Sequence, residues 1–212
     1  MNMAWDEVCL QQAQHLEAPI LRFYSWAEAC TTFGYSQRFA DVQQLADSTV
    51  LIRRLTGGGI VPHLNDWTYS VAFPPNTDWY HYRAKESYRQ LHGWLQRAFA
   101  RLKLVTNLNP ATIAEGPGRC FIGAEEDDVM LGDSKLAGAA QRRNKLGFMI
   151  QGSVQPPPKS ITREKWEQAM LEVATADWGI EWQVWTEAEA RREEVSELAR
   201  TKYAAKQHTQ KR

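Results

Sequence analysis

Excess charge is missing from this 212-residue chain: 25 Lys and Arg face 25 Asp and Glu. A zero formal net charge removes the global field that steers proteins to nucleic acid or to anionic membrane, so neither is an expected partner and recognition must be local. No apolar run approaches the roughly 18 residues that a membrane span needs. The start, Met1-Asn2-Met3-Ala4-Trp5-Asp6-Glu7, carries acid where a signal peptide carries base, and no long apolar stretch follows. Cysteine is scarce, and Cys9, Cys30 and Cys120 cannot all pair. These absences lead us to expect a reduced cytoplasmic protein with free thiols. His81, His92 and His208 are scattered and no Cys/His pair has zinc spacing, so no metal site is expected. Glu125-Glu126-Asp127-Asp128 reads as a solvated acidic turn rather than a cation site.

What remains is an ordinary globular composition, 43% hydrophobic and 24% charged, with nine Trp to enlarge the core. Residues 3–16 read as a helix with an irregular apolar stripe, 20–26 as a strand, and 41–47 as a short helix. The branched run 50–55 reads as a strand, as do 60–63 and 67–73. The best helix is 85–104, where Tyr88, Leu91, Leu95, Phe99 and Leu102 recur at helical spacing. Residues 107–123 are irregular. Residues 129–131, 135–141 and 146–155 read as three strands, and Pro156-Pro157-Pro158 as a stiff break. Residues 162–176 and 187–205 read as helices, and the basic tail from Lys202 as frayed. Clustered strands with helices before and after predict an α+β fold, a mixed or antiparallel sheet packed with helices. Residues 1–155 form the expected core and 156–212 a helical C-terminal extension of the same domain.

Two segments carry chemistry. In the first, a strand delivers Arg53 and Arg54 into Thr56-Gly57-Gly58-Gly59, with His63 a few residues on. Consecutive glycines let a ligand approach the backbone and expose successive N–H groups that hold an anion or a polarised carbonyl. Arginine adds planar donors for phosphate. This is not a phosphate loop of the Walker type, because no Gly-Lys-Ser/Thr follows. In the second, Lys135 opens a strand of small residues, Gly138, Ala139 and Ala140, which leave a slot for a long apolar group or a closely packed backbone.

Together these segments resemble the biotin and lipoate protein ligase superfamily, in its lipoate and octanoate branch. The likeness is carried by Arg53, Arg54, Thr56, Gly57, Gly58 and His63, then by Lys135, Gly138, Ala140 and Gln141, and spans roughly residues 2 to 155. Gly118-Arg119-Cys120-Phe121 is similar to the octanoyl-carrier-protein:protein octanoyltransferases of the Gram-positive type, in which a Cys-Phe holds the nucleophile. The resemblance implies the class II synthetase-like fold of the ligase catalytic domain. It implies Cys120 as nucleophile and Lys135 as the group that stabilises charge on the acyl oxygen. Arg53, Arg54, Thr56, Gly57, Gly58, Gly59 and His63 would line the acyl and phosphate or thioester end, with the acyl chain against Gly138, Ala139 and Ala140. The expected reaction transfers an octanoyl or lipoyl group from acyl carrier protein to a lysine of a lipoyl domain, in 2-oxoacid dehydrogenases or the glycine cleavage H protein. No tightly bound cofactor is expected. One alternative is an ATP-dependent lipoate ligase using ATP, Mg and lipoate, which the Thr-Gly-Gly-Gly turn favours. The other is a non-catalytic relative that binds lipoate or a carrier. Cys9 and Cys30 read as structural.

Overall fold

The computed structural model describes residues 1–112 and 123–211. In chain order the elements are α1 (Asn2–Leu16), β1 (Ile20–Tyr24), β2 (Cys30–Phe33), α2 (Phe39–Leu45), β3 (Leu51–Arg53), β4 (Val61–His63), β5 (Trp67–Phe73), α3 (Asp78–His81), α4 (Ala84–Arg101), β6 (Asn107–Leu108), β7 (Val129–Leu131), β8 (Ser134–Asn144), β9 (Gly147–Val154), α5 (Arg163–Trp178), α6 (Arg192–Leu198) and α7 (Lys206–Thr209). A 3-10 turn, Thr186–Arg191, leads into α6, and a π-helical turn, Ala199–Tyr203, follows it.

Six strands form one sheet in the order β1-β5-β9-β8-β7-β6, every neighbouring pair antiparallel. A second sheet, β3-β2-β4, pairs β2 with β3 in parallel and with β4 antiparallel, so the architecture is α+β with both kinds of pairing. The predicted strands and helices are found with shifts of a few residues at their ends. Two strands were not predicted: β2, whose Cys30-Thr31-Thr32-Phe33 is short and buried throughout, so it lacks the alternation that marks a half-exposed strand, and the two-residue β6, which falls in the stretch read as irregular.

The large sheet is packed on both faces. Helices α4 and α5 cover one with Leu91, Trp94, Leu95, Phe99, Trp166 and Met170, joined to Tyr69, Val71, Phe148 and Ile150 of the sheet. Helix α1 covers the other, where Cys9, Leu10 and Ala13 meet Ala72 and Met149. Tyr24, Leu55, Val195 and Tyr203 extend that layer. Among the described residues, no helix is long and apolar enough to cross a membrane.

One core residue is out of place by polarity. His92 on α4 is fully buried, and neither ring nitrogen has a hydrogen-bond partner. Burial, helped by the Lys135 cation, lowers its pKa to about 3. The folded-state value lies below the ordinary 6.5, so the neutral ring's contribution to stability is complete above about pH 6.5 and is lost as pH falls toward about 3. His92→Leu therefore narrows the difference in melting temperature between about pH 7 and about pH 4.5. A slope unchanged by the substitution would assign the acid sensitivity elsewhere.

Candidate functional site

Strand β3 ends at Arg53, and the chain then turns through Arg54, Leu55 and the three glycines before β4. The turn is braced from beneath. Arg54, 5% exposed, donates from Nη2 to the carbonyls of Gly57 and Gly59 at 2.8 Å each, and from Nη1 to Thr32 Oγ1 at 2.8 Å. Gly58 has φ 81°, in the left-handed region that favours glycine. Gly34 packs its Cα against the Gly57–Gly58 peptide, so a Cβ there would strike the Gly58 carbonyl. Gly34→Ala is expected to push the turn out of place at a cost of about 3 kcal/mol. A melting temperature equal to the parent's would show that the turn yields instead. Gly57, by contrast, has nothing within 4 Å of the position a Cβ would take.

Arg53 is 1% exposed and faces the other way. Its six described hydrogen bonds go to backbone carbonyls of Tyr35, Gln37, His208, Thr209 and Lys211. The C-terminal tail, expected to fray, is therefore docked: the guanidinium gathers its carbonyls at 2.6–3.3 Å. The described contacts of both arginines thus shape the turn and its surroundings.

A buried polar network underlies the turn and ties it to the large sheet. Thr56 donates to Gln151 Oε1 at 2.7 Å, and Gln151 Nε2 donates to Asp6 Oδ2 at 2.6 Å. Asp6 also accepts from Ser70 and Arg22. His63 lies between Thr32 Oγ1 and Asp66 Oδ2, both at 2.8 Å, and stacks on Trp26 with centroids 4.3 Å apart. Burial lowers the His63 pKa, outweighing the pull of Asp66. Burial pushes the Asp66 carboxyl up, but hydrogen bonds from His63, Ser153 and Thr68 together hold it below its usual value. A neutral imidazole pinned on both nitrogens is a fixed wall.

Register brings the second segment alongside. Ala140 of β8 sits opposite Gln151 and Gly138 opposite Ser153, the residues that reach Thr56 and Asp66. Near its start β8 carries an irregularity, with Met130 opposite Lys135 but Val129 opposite Ala137. The extra residue, Leu136, reverses the alternation and brings Lys135 onto the side of Gly138. A Cβ on Gly138 would lie 2.6 Å from Lys135 Cε and 2.8 Å from Nζ, so glycine is what lets the lysine lie flat there. The Lys135 ammonium contacts Asp128 Oδ2 at 2.7 Å, and the two side chains are 8% and 0% exposed. Asp128 also accepts from Tyr88 Oη at 2.6 Å and from the Glu125 N–H at 2.6 Å. Burial raises the Asp128 pKa even against the cation. The fully buried Asp128 and nearly buried Asp127 correct the expectation of a solvated acidic turn. Among the described residues no group of three potential metal ligands gathers.

Cys9 and Cys30 are buried, and burial pushes each thiol up to about 12, so neither is poised as a thiolate. Cys120 lies outside the described residues. The segment on either side of it is anchored: Asn109 Nδ2 donates to the carbonyls of Ala111, Ala124 and Glu125 at 2.6, 3.3 and 3.0 Å. Glu125 is also the residue whose N–H holds Asp128.

Sequence reasoning missed Asp6, Thr32, Asp66, Tyr88, Asp128, Gln151 and Ser153 as parts of this assembly. Asp6 carried a usable signal, an acid set between Met3, Ala4 and Val8 on the buried stripe of a helix. The others show their pairing only once the strands are in register.

The family model described as the lipoyl protein ligase A/B catalytic domain matches residues 1–155. Among curated proteins the chain is 32% identical over 176 residues to octanoyltransferase LipM of an Exiguobacterium species, covering 77% of this chain and 63% of that one. It is 30% identical to octanoyltransferase LipM of Staphylococcus aureus, covering 72% and 60%. The chain thus spans about 60% of the length of these relatives. Among solved structures, lipoate-protein ligase A bound with ATP superposes with a TM-score of 0.75 at 19% identity, covering 98% of this chain and 92% of that one. A bi-partite lipoate protein ligase from Thermoplasma acidophilum, solved with its E2 lipoyl domain, superposes with a TM-score of 0.73 at 19% identity, covering 99% and 90%. At that identity the likeness shows the fold, that of a lipoate ligase catalytic domain.

Proposed function

Because the chain belongs to the lipoyl protein ligase A/B catalytic-domain family, we propose that it is an acyltransferase that moves an octanoyl, or lipoyl, group from a carrier-protein thioester to a lysine of a lipoyl domain through Cys120. The observation that carries this reading is Lys135. Its ammonium is held by a buried carboxylate over Gly138, on the strand whose next residues lie beside the glycine turn. The curated relatives are octanoyltransferases, which supports the thioester route. Residues 156–212 serve as the core's helical extension, since Trp166 and Met170 complete its main cluster.

In the first step the Cys120 thiolate attacks the acyl carbonyl carbon. A new C–S bond forms, the donor's C–S bond breaks and the carrier departs as its thiolate, which takes a proton from solvent. In the second, the acceptor lysine's neutral amine attacks the acyl-enzyme, an amide forms, the amine proton leaves to solvent or base, and Cys120 is regenerated. In both steps negative charge develops on the acyl oxygen, and Lys135 is the cation set to receive it. Asn109 holds Ala111, Ala124 and Glu125, and the Glu125 N–H in turn holds the Asp128 carboxylate that fixes Lys135. No step calls for a tightly bound cofactor. The glycine turn Thr56-Gly57-Gly58-Gly59 resembles the ligases' turn and favours a second reading, an ATP-dependent ligase that forms an acyl-adenylate.

Intact-mass spectrometry after incubation with octanoyl carrier protein separates the two. A hydroxylamine-labile octanoyl adduct is expected on the native chain. No adduct, together with lipoylation that requires ATP and free lipoate, would replace the first reading with the second.

A further inference from the structure

We propose that Arg142 and Lys211, which both meet Tyr35 at the rim of the glycine turn, bind the phosphodiester of a pantetheine-linked acyl donor. The inference rests on the transferase reading above and adds to it the part of the donor that is recognised. Tyr35 follows Gly34, whose Cα abuts the turn, and its N–H donates to Thr56 O at 2.8 Å. Arg142 lies over the Tyr35 ring, 4.1 Å from the centroid, and donates to Leu55 O at 3.1 Å. Lys211 Nζ reaches Tyr35 Oη at 3.5 Å, and its backbone carbonyl is held by Arg53 at 2.6 Å. The tail is thus fixed where its lysine meets the turn.

Elsewhere in the C-terminal part, Lys202, Arg192 and Arg200 each pair with a glutamate. Among the described residues, no carboxylate pairs with Arg142 or Lys211. The Tyr35 phenol registers the result: Lys211 first, then Arg142, holds its pKa below the usual value. A planar fork, a point charge and a phenol hydroxyl, all half-exposed or exposed, suit an anion with two free oxygens. The spacing suits the arm as well. Lys135 lies over Gly138, and Arg142 is four residues further along β8, about 13 Å at the rise of a strand. The Arg142 side chain carries its charge further out, over Tyr35. A flexible pantetheine arm joins a reacting thioester to its phosphodiester across a separation of that size.

The test compares the full chain with Lys211→Gln, Arg142→Gln and the double variant, after checking that melting temperatures agree. Three donors are used: octanoyl carrier protein, octanoyl-coenzyme A, and octanoyl-N-acetylcysteamine, which has no phosphate. The ratio of kcat/KM for octanoyl-coenzyme A to that for the cysteamine thioester is expected to fall about threefold to fivefold for each single variant and about tenfold for the double, the size of exposed charged contacts. Carrier protein should lose in the same proportion. Equal losses with all three donors would overturn the proposal and make Arg142 and Lys211 supports of the turn. A loss confined to the carrier protein would overturn it in favour of contact with acidic protein surface. Calorimetric titration with coenzyme A gives a readout free of turnover, and affinity unchanged in the double variant would equally overturn it. If no donor supports transfer while coenzyme A affinity still falls in the double variant, the transferase reading fails and the phosphate site stands.

Discussion

On the proposed mechanism Cys120→Ala is expected to lower kcat/KM for octanoyl transfer from a thioester donor by more than about 10⁴-fold, the scale seen when a covalent nucleophile is removed. Two independent features concentrate the expectation on this thiol. The first is the likeness of Gly118-Arg119-Cys120-Phe121 to the octanoyltransferase nucleophile segment. The second is elimination: burial raises the thiols of Cys9 and Cys30 to about 12, leaving essentially no thiolate at neutral pH. Cys9→Ala and Cys30→Ala therefore keep transfer, adjusted for any loss of folded protein, and the octanoyl adduct stays on one thiol. Transfer at the parental rate by Cys120→Ala would end the covalent mechanism.

Lys135→Met lowers kcat by about 10²- to 10³-fold with a much smaller change in KM, as expected for a donor that acts on charge present mainly in the transition state. The same substitution leaves the Asp128 carboxylate buried without its cation, and stability falls by about 3 kcal/mol or more. The two effects are separable. Adding Asp128→Asn to Lys135→Met removes the stranded charge, so the double variant recovers much of the melting temperature but none of the activity. Recovery of both together would make Lys135 a structural lysine. Asp128→Asn alone keeps the cation but loosens its aim, and its activity is expected to fall between the two.

Much of the architecture is legible in the sequence because periodicity reports burial directly. The helix Ala84–Arg101 buries Leu91, Leu95 and Phe99 at the spacing read from the chain, and the glycine turn falls where three glycines end a branched strand. What stays hidden depends on partners distant in sequence. Asp128 sits in a run of four acids that composition reads as solvent-facing, and only the pairing of β7 with β8 brings it to Lys135. Strand β2 is buried on both sides and lacks alternation. The paired arginines look alike in sequence, yet neighbouring positions on a strand point to opposite faces. Arg54 braces the glycine turn while Arg53 collects the tail. Gln151 marks another limit: one amide bridges Thr56 and Asp6, residues 50 positions apart, and nothing in its local sequence announces that.

The grip of Arg53 on the tail bears on when the site can exist. The guanidinium and the carbonyls it holds are separated by 155 to 158 positions. During synthesis the strand that opens the glycine turn emerges long before the segment that satisfies its arginine. Until that late segment arrives, the guanidinium must stay hydrated, and the turn must wait in a looser state. The glycine turn is then among the last parts of the molecule to lock, by a contact of high sequence separation that comes late and slowly. A nascent chain on the ribosome could hold its central sheet and still lack a settled glycine turn.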